Sequence, residues 1–169
     1  AVRLQVQDTY SNPVLDSVTT ISATAVTSNV LSLAGASASN TLGSSFIDVP
    51  NLAITAKAGT TQLRFTATNA GAPINATSIT TSQFAVVAGS PYALSVSPTS
   101  MTVANRANLN DIAVTVVDTA GNPVSDSVAQ ISAATGGVTL SGTAIRFASS
   151  GVANYSGLML SGAVGSYSI

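Results

Sequence analysis

Two Asn-Pro turns are each flanked by a pair of aspartates, and these four aspartates are the residues most able to hold a metal ion. Asp8 and Asp16 surround the first turn, and Asp118 and Asp126 surround the second. Carboxylate and carbonyl oxygens are the ligands that Ca²⁺ prefers, but two carboxylates are few for one ion. An aspartate before such a turn also accepts backbone N–H bonds in an Asx turn, and proline fixes φ. We therefore interpret the four aspartates as turn residues, with calcium as the alternative ligand.

The remaining composition excludes most catalytic chemistry. The chain contains no histidine and no cysteine, so thiol chemistry, zinc ligation by these residues and Ser-His-Asp triads are ruled out within it. Every acidic residue is an aspartate, and no glycine-rich phosphate loop precedes a helical pattern. We expect the protein not to be an enzyme and to need no cofactor.

Charge is sparse, which limits the classes of partner. Only 7% of the 169 residues are charged, against about 25% in a typical domain. Five scattered basic residues do not form the cluster that a phosphate backbone requires, so we expect no nucleic-acid partner. The longest charge-free run, 65–105, is interrupted by three prolines and predicts no membrane span. The chain begins directly in a strand pattern without a signal peptide, as an exported, trimmed protein at the cell surface would.

The elements that must position these residues occur twice. The sequence VQDTYSNPVLDSVTTISA at 6–23 returns as VVDTAGNPVSDSVAQISA at 116–133, with 12 of 18 positions identical and an offset of 110 residues. Further matches follow at offsets of 107 and 106: Leu31-x-Leu33-x-Gly35 with Val138-x-Leu140-x-Gly142, and Leu52-x-Ile54 with Leu158-x-Leu160. This period is too long for a solenoid and fits a whole small domain.

Within each copy the pattern is that of β-strands. Val2, Leu4 and Val6 alternate with polar residues, and the equivalent residues at 112–116 do the same, which is typical of strands with one buried face. Further strands are predicted at 18–23, 31–33, 52–56, 62–67 and 83–87. No segment has a helical period, so the fold class is predicted to be all-β.

The predicted domains are 1–88 and 89–169, because Gly89 and Pro91 end one strand pattern before another begins at Tyr92. The first copy starts at the strand equivalent to 112–117 and has no counterpart of 92–103. The second copy has no counterpart of about 64–88. Both domains are therefore expected to be incomplete at the chain ends, the first lacking its first strand and the second its last strands.

Four further residues are candidates for modification or contact. Asn75 and Asn154 begin Asn-x-Ser/Thr sequences, which are acceptors for N-glycosylation where that machinery exists. Tyr10 lies on the turn where the second copy has Ala120. Phe46 lies in the segment 34–50, which we interpret as an insertion of about a dozen residues in the first copy.

The arrangement resembles the tandem bacterial Ig-like domains of invasin- and intimin-type adhesins and other prokaryotic surface proteins. The residues that carry it are Asp8–Val14 (Asp-Thr-Tyr-Ser-Asn-Pro-Val) and Asp118–Val124 (Asp-Thr-Ala-Gly-Asn-Pro-Val). The linker Ala88-Gly89-Ser90-Pro91 is similar to the joins between such domains. The first copy departs from the pattern at Ser11, where glycine is usual. The resemblance implies two tandem immunoglobulin-like β-sandwiches.

These features together predict a structural module of an extracellular filament, pilus, adhesin stalk or surface layer. Its partners would be copies of itself or flanking repeats, and either strand addition between subunits or flanking sequence of the same protein would complete the sandwiches. The alternative is a binding module, such as an adhesin tip or a phage decoration domain that recognises a host receptor or a cell-surface glycan.

Overall fold

The computed structural model describes residues 1–15, 18–69 and 78–169, together with the backbone of 72–73. Its regular elements are all β-strands, which confirms the all-β prediction. No helix occurs in the described part of the chain, and so none there could cross a membrane. The chain divides into two compact units, Ala1–Val87 and Ala88–Ile169.

The described part of the first unit contains eleven strands, all paired antiparallel. The largest sheet has the order β10-β8-β2-β4, with β9 on β8, and separate pairs join β1 to β5, β3 to β6 and β7 to β11. Their bounds are β1 (Val2–Gln5), β2 (Thr19–Ala25), β3 (Val30–Ala34), β4 (Ser37–Ser39), β5 (Phe46–Val49), β6 (Ala53–Ala56), β7 (Gly59–Thr61), β8 (Leu63–Asn69), β9 (Ala72–Pro73), β10 (Ile79–Thr80) and β11 (Phe84–Val86).

The second unit contains seven strands. One sheet has the order β12-β13-β17, and two further pairs join β14 to β16 and β15 to β18. Their bounds are β12 (Ala93–Ser97), β13 (Ile112–Val117), β14 (Gln130–Ser132), β15 (Thr139–Ser141), β16 (Ile145–Phe147), β17 (Val152–Tyr155) and β18 (Met159–Ser161).

Three strand pairs recur in both units with the same register. The equivalent pairs are β1–β5 with β13–β17, β2–β4 with β14–β16, and β3–β6 with β15–β18. Each pair of facing residues in one unit corresponds to a pair of facing residues in the other. The corresponding pairs are Val2–Val49 and Ile112–Tyr155, Ile21–Ala38 and Ile131–Arg146, and Leu33–Ile54 and Leu140–Leu160. The repeat in the sequence is therefore a repeat of the fold.

This register shows that the predicted insertion at 34–50 is wrong. Phe46–Val49 of β5 occupies the place that Val152–Tyr155 of β17 has in the second unit. The offset at these strands is 106 residues, close to the 107 residues that separate β3 from its counterpart. Only a residue or two differ between the loops, so Phe46 lies on a regular strand and not on an added loop.

Each unit has its own core, built from the inward residues of these strands. In the first unit Ile21 and Ala23 of β2, Ile47 of β5, and Leu63 and Phe65 of β8 are buried together. β2 alternates strictly between buried and more exposed residues over its first five positions, as the period of a half-buried strand requires. Burying a side chain of this size stabilises a fold by roughly 1.5–3 kcal/mol. β8 thus contributes two of the five core residues.

The two units differ in the strands they possess beyond the shared pairs. β12, which pairs along β13 in the second unit, has no equivalent among the described strands of the first. Conversely, β8 pairs with β2 over seven residues, whereas its place beside β14 is empty among the described strands of the second unit. The strands absent from one unit are therefore present in the other.

The equivalent residues Gly35 and Gly142 each lie in close contact with a neighbouring backbone. Gly35 and Gly142 have positive φ, and a Cβ there would overlap the backbone oxygen of Asn51 and lie 2.8 Å from that of Gly157, respectively. We expect Gly35→Ala to lower the free energy of unfolding by about 3 kcal/mol or more, because left-handed backbone costs roughly 1–2 kcal/mol and overpacking roughly 1–3 kcal/mol. Gly43→Ala, also at positive φ but in open space, should cost only about 1–2 kcal/mol. Urea unfolding measures the stability of the Gly35→Ala and Gly43→Ala variants. Equal losses of stability would contradict the role of the close contact between Gly35 and Asn51.

Candidate functional site

The carboxylate of Asp118 is the most completely bonded side chain of the turn region. It is only 6% exposed and follows directly after β13. Oδ1 accepts the backbone N–H groups of Ala120 and Asn122, each at 2.8 Å. Oδ2 accepts the Asn122 side-chain amide at 2.9 Å and the backbone N–H of Gly89 at 2.9 Å. The aspartate therefore closes its own turn and also ties down the segment that precedes β12.

These donors determine the electrostatics of Asp118. The Gly89 N–H, followed by the Asn122 amides, holds the pKa of the carboxyl well below its usual range, because every one of these bonds favours the ionised form. Four N–H groups direct the positive ends of their dipoles at its two oxygens. A carboxylate surrounded in this way stabilises a turn, and a cation would have to displace those donors to reach it.

Asp8 repeats the arrangement in the first unit, with one bond fewer. It accepts the backbone N–H groups of Tyr10 and Asn12 at 2.8 and 2.9 Å, and the Asn12 side-chain amide at 3.1 Å. Its pKa is lowered chiefly by the Asn12 bonds. Ser11 adopts φ of 67° where the second unit has Gly121 at 76°, so the departure noted at Ser11 keeps the glycine-type conformation.

Of the other two aspartates, only Asp126 belongs to the residues that the structure describes. Asp126 is exposed, and Asp16 lies outside the described residues. Among the residues that are described, no three His, Cys, Asp or Glu side chains lie close enough together to hold a metal ion. Calcium binding stays a prediction, and it would have to involve Asp16 or oxygens other than carboxylates.

Of the two glycosylation candidates, only Asn154 can be placed. It is an exposed residue of β17, between the buried Ala153 and Tyr155, and it faces Ala113 on β13. Its side chain is therefore on the outer surface of the sheet, where an attached sugar would not disturb the core. Asn75 lies outside the described residues.

The two candidate contact residues have different surroundings. Tyr10 is 85% exposed at the tip of the first Asx turn. Phe46 is partly covered by the guanidinium of Arg3, whose Cζ lies 5.4 Å from the ring centroid. Arg3 also forms a two-pronged ion pair with Asp48, with Nε–Oδ1 and Nη2–Oδ2 distances of 2.7 and 2.9 Å. Phe46 thus belongs to a small cluster on the outer face of β1 and β5, while Tyr10 stands alone.

Two features of the structure went beyond the sequence predictions. The first is the bond from Gly89 to Asp118, which no motif indicated because it joins residues 29 apart. The second is a cleft of about 890 Å³ in the second unit, lined by core-type side chains that include Leu94, Val96, Ile131 and Tyr155. The only signal for it in the sequence was the missing counterpart of 64–88.

Comparisons with known proteins identify no relative of this chain. No protein-family model, no curated protein and no solved structure matches the chain. The resemblance to bacterial Ig-like domains therefore depends on the residues quoted for it.

We expect Asp118→Asn to lower the melting temperature of the second unit at pH 7. An asparagine amide would place its own donor against the Gly89 and Asn122 N–H groups. The drop should be about 5 °C or more, since a domain of this size loses roughly 4–8 °C for each kcal/mol. The pKa of Asp118 is lowered in the folded state, so its stabilisation is present above the unfolded value near 3.9 and is lost as the pH falls below it. The wild-type melting temperature should therefore fall from about pH 5 to pH 2, and that of the variant should fall less.

Asp8→Asn is the matched control, because it removes the same turn bonds at an exposed site without a Gly89-like donor. Thermal unfolding followed by NMR signals of each unit separates the two effects. A larger loss from Asp8→Asn, or an unchanged pH profile for Asp118→Asn, would contradict the role assigned to Asp118. Repeating the melts with calcium and with a chelator tests the alternative ligand, for which the turn interpretation predicts no shift in either unit.

Proposed function

We propose that this chain is a non-catalytic structural repeat of an extracellular filament, adhesin stalk or surface array. In this proposal its two units are immunoglobulin-like β-sandwiches of the tandem bacterial type, one at each side of the Gly89–Pro91 linker. The observation that carries the proposal is that three strand pairs recur in identical register in the two units.

The complementary strands support serial joining of such units. The edge of β1 that no described strand of the first unit covers corresponds to the edge of β13 that β12 covers in the second. The edge of β14 that is open in the second unit corresponds to the edge of β2 that β8 covers in the first. A composite with both β12-type and β8-type strands would be one full sandwich. Open edges of this kind are sites where another strand can add.

The surface supports contact between copies. About 25% of the residues of a typical soluble domain are charged, whereas only 7% of this chain is charged. On the outer face of β16, Ile145 and Phe147 are exposed, the latter at 68%. The equivalent residues on β4 are Ser37 and Ser39. An exposed apolar pair of this kind indicates a surface that packs against protein.

A binding module is the second candidate, and Tyr10 is the observation that favours it. The side chain projects from a rigid turn at 85% exposure, and tyrosine is frequent at the centre of protein and glycan contacts. As a tip domain, the protein would present Tyr10 to a receptor or a cell-surface sugar. Its equivalent in the second unit is Ala120, so this role would belong to the first unit alone.

Electron microscopy and sedimentation of the purified chain distinguish the two functions. The structural proposal predicts association that rises with concentration and ends in filaments or a lattice, with a subunit repeat equal to one or two units. Replacing Ile145 and Phe147 by the serines found on β4 should weaken that association without unfolding the second unit, because both side chains are exposed.

The matched control is Tyr10→Ala, which gives the first turn the residue of the second turn and should leave assembly unchanged. A chain that remains monomeric at millimolar concentration, and that binds a glycan array in a Tyr10-dependent manner, would contradict the structural role and favour the binding module.

A further inference from the structure

The segment Ala88–Pro91 joins the two units, and its composition is that of a flexible linker. Glycine and serine allow many backbone conformations, and domain boundaries usually fall in exposed segments of this kind. The first unit holds the chain as far as Val86, the last residue of β11, which faces Gly59. The contacts of the residues that follow therefore decide how freely the chain moves between the units.

Both ends of this linker are held by the second unit. Ala88 is half-buried and packs against the hydrophobic core of that unit. Just beyond Pro91, the backbone N–H of Tyr92 donates to the carbonyl of Val117 at 2.8 Å, directly before β12 begins. The linker thus starts on the core of the second unit and ends at one of its sheets.

The middle of the linker is held by Asp118. Its Oδ2 accepts the Gly89 N–H at 2.9 Å, while Oδ1 is fixed by the N–H groups of Ala120 and Asn122. Because the side chain is almost fully buried, little water competes for the bond to Gly89, and hydrogen bonds to an ionised acceptor are roughly twice as strong as neutral ones. Among the donors, Gly89 lowers the pKa of Asp118 most, which agrees with a strong bond.

Proline limits the two linker residues that remain. The ring of Pro91 fixes its own φ, and it confines Ser90 before it to extended conformations. Every residue from 88 to 92 is therefore limited by packing, by a hydrogen bond or by this ring. Val87, which is 76% exposed, lies between β11 and the linker. It contributes two backbone dihedrals, and its β-branched side chain favours extended backbone.

We propose that Asp118 clamps the linker Ala88–Pro91 onto the second unit, so that the chain pivots between the units at Val87 alone. Asp118 is here a positioning residue, because it fixes the direction in which the chain enters the second unit. A composition typical of a flexible linker then gives a join with one free residue. The inference goes beyond the proposed function, since a stalk and a binding module would both contain this join.

Backbone ¹⁵N relaxation of the full chain, well below its melting temperature, tests the clamp. In the wild type, Gly89 and Ser90 should have order parameters of about 0.85, as rigid backbone does, and Asp118→Asn should lower both to below about 0.6. The same substitution should speed hydrogen exchange of the Gly89 amide by about tenfold or more, because the bond that protects this amide is removed.

Two variants are the controls for Asp118→Asn. Asp8→Asn removes the equivalent turn bonds in the first unit and should leave the order parameter of Gly89 unchanged. Gly89→Ala keeps the N–H donor, and its Cβ would lie 3.7 Å from Oδ2 of Asp118, which is an ordinary contact. Residue 89 should therefore stay as rigid in Gly89→Ala as in the wild type, since the clamp depends on the N–H group.

Val87→Gly tests the pivot. Glycine widens the range of both dihedrals, and the exposure of Val87 means that the substitution leaves both cores intact. The rotational correlation time of each unit should fall toward a value roughly twofold shorter, because each unit contains about half of the residues. Gly89 should keep its wild-type order parameter in this variant.

Low order parameters at Gly89 and Ser90 in the wild type would overturn the clamp, as would an Asp118→Asn variant in which both residues stay rigid. Loss of order at Gly89 in Val87→Gly, or unchanged correlation times in that variant, would overturn the pivot. None of these outcomes depends on whether the chain forms filaments, so the clamp and the proposed function can fail separately.

Discussion

The register of the antiparallel strand pairs is the constraint on which both units depend. Side chains on a strand alternate between two faces, so a slip of one residue would turn every inward side chain to solvent. Ile21 facing Ala38, and Ile131 facing Arg146, fix this alternation at equivalent places. Once the register is set, the positions of Asp8, Asp118 and the cleft-lining residues follow from it.

The Asx turns hold that register where the chain leaves its first shared strand. In each unit the aspartate accepts two backbone N–H groups and an asparagine side chain. In the second unit the fourth bond, from Gly89, fixes the approach to β12 as well. The same eighteen-residue sequence thus serves as strand, turn and anchor, and its first acid, Asp8 or Asp118, is explained by the amide donors around it.

The sequence predicted the longer alternating strands because their alternation is local, but it missed the short strands β4, β7, β9 and β10 and β5 inside the supposed insertion. The predicted 52–56 and 62–67 correspond to β6 and β8, with boundaries shifted by one or two residues. The prediction of an insertion at 34–50 is wrong because loop lengths cannot be compared without knowing which residues face each other. The pairing of β5 with β1 shows which residues those are. The Gly89–Asp118 bond and the cleft were beyond prediction for a similar reason, since both join residues far apart in sequence.

The different coverage of the equivalent strands β2 and β14 is the central claim, and amide hydrogen exchange measures it most directly. In the free chain, Thr20 and Ser22 are covered by β8, whereas the equivalent Gln130 and Ser132 have no strand beside them. We expect the first two amides to exchange at least a hundredfold more slowly than the last two at low protein concentration, since an exposed edge opens without unfolding. Equal protection at both edges would contradict the account, because it would mean that β14 is already covered within a single chain.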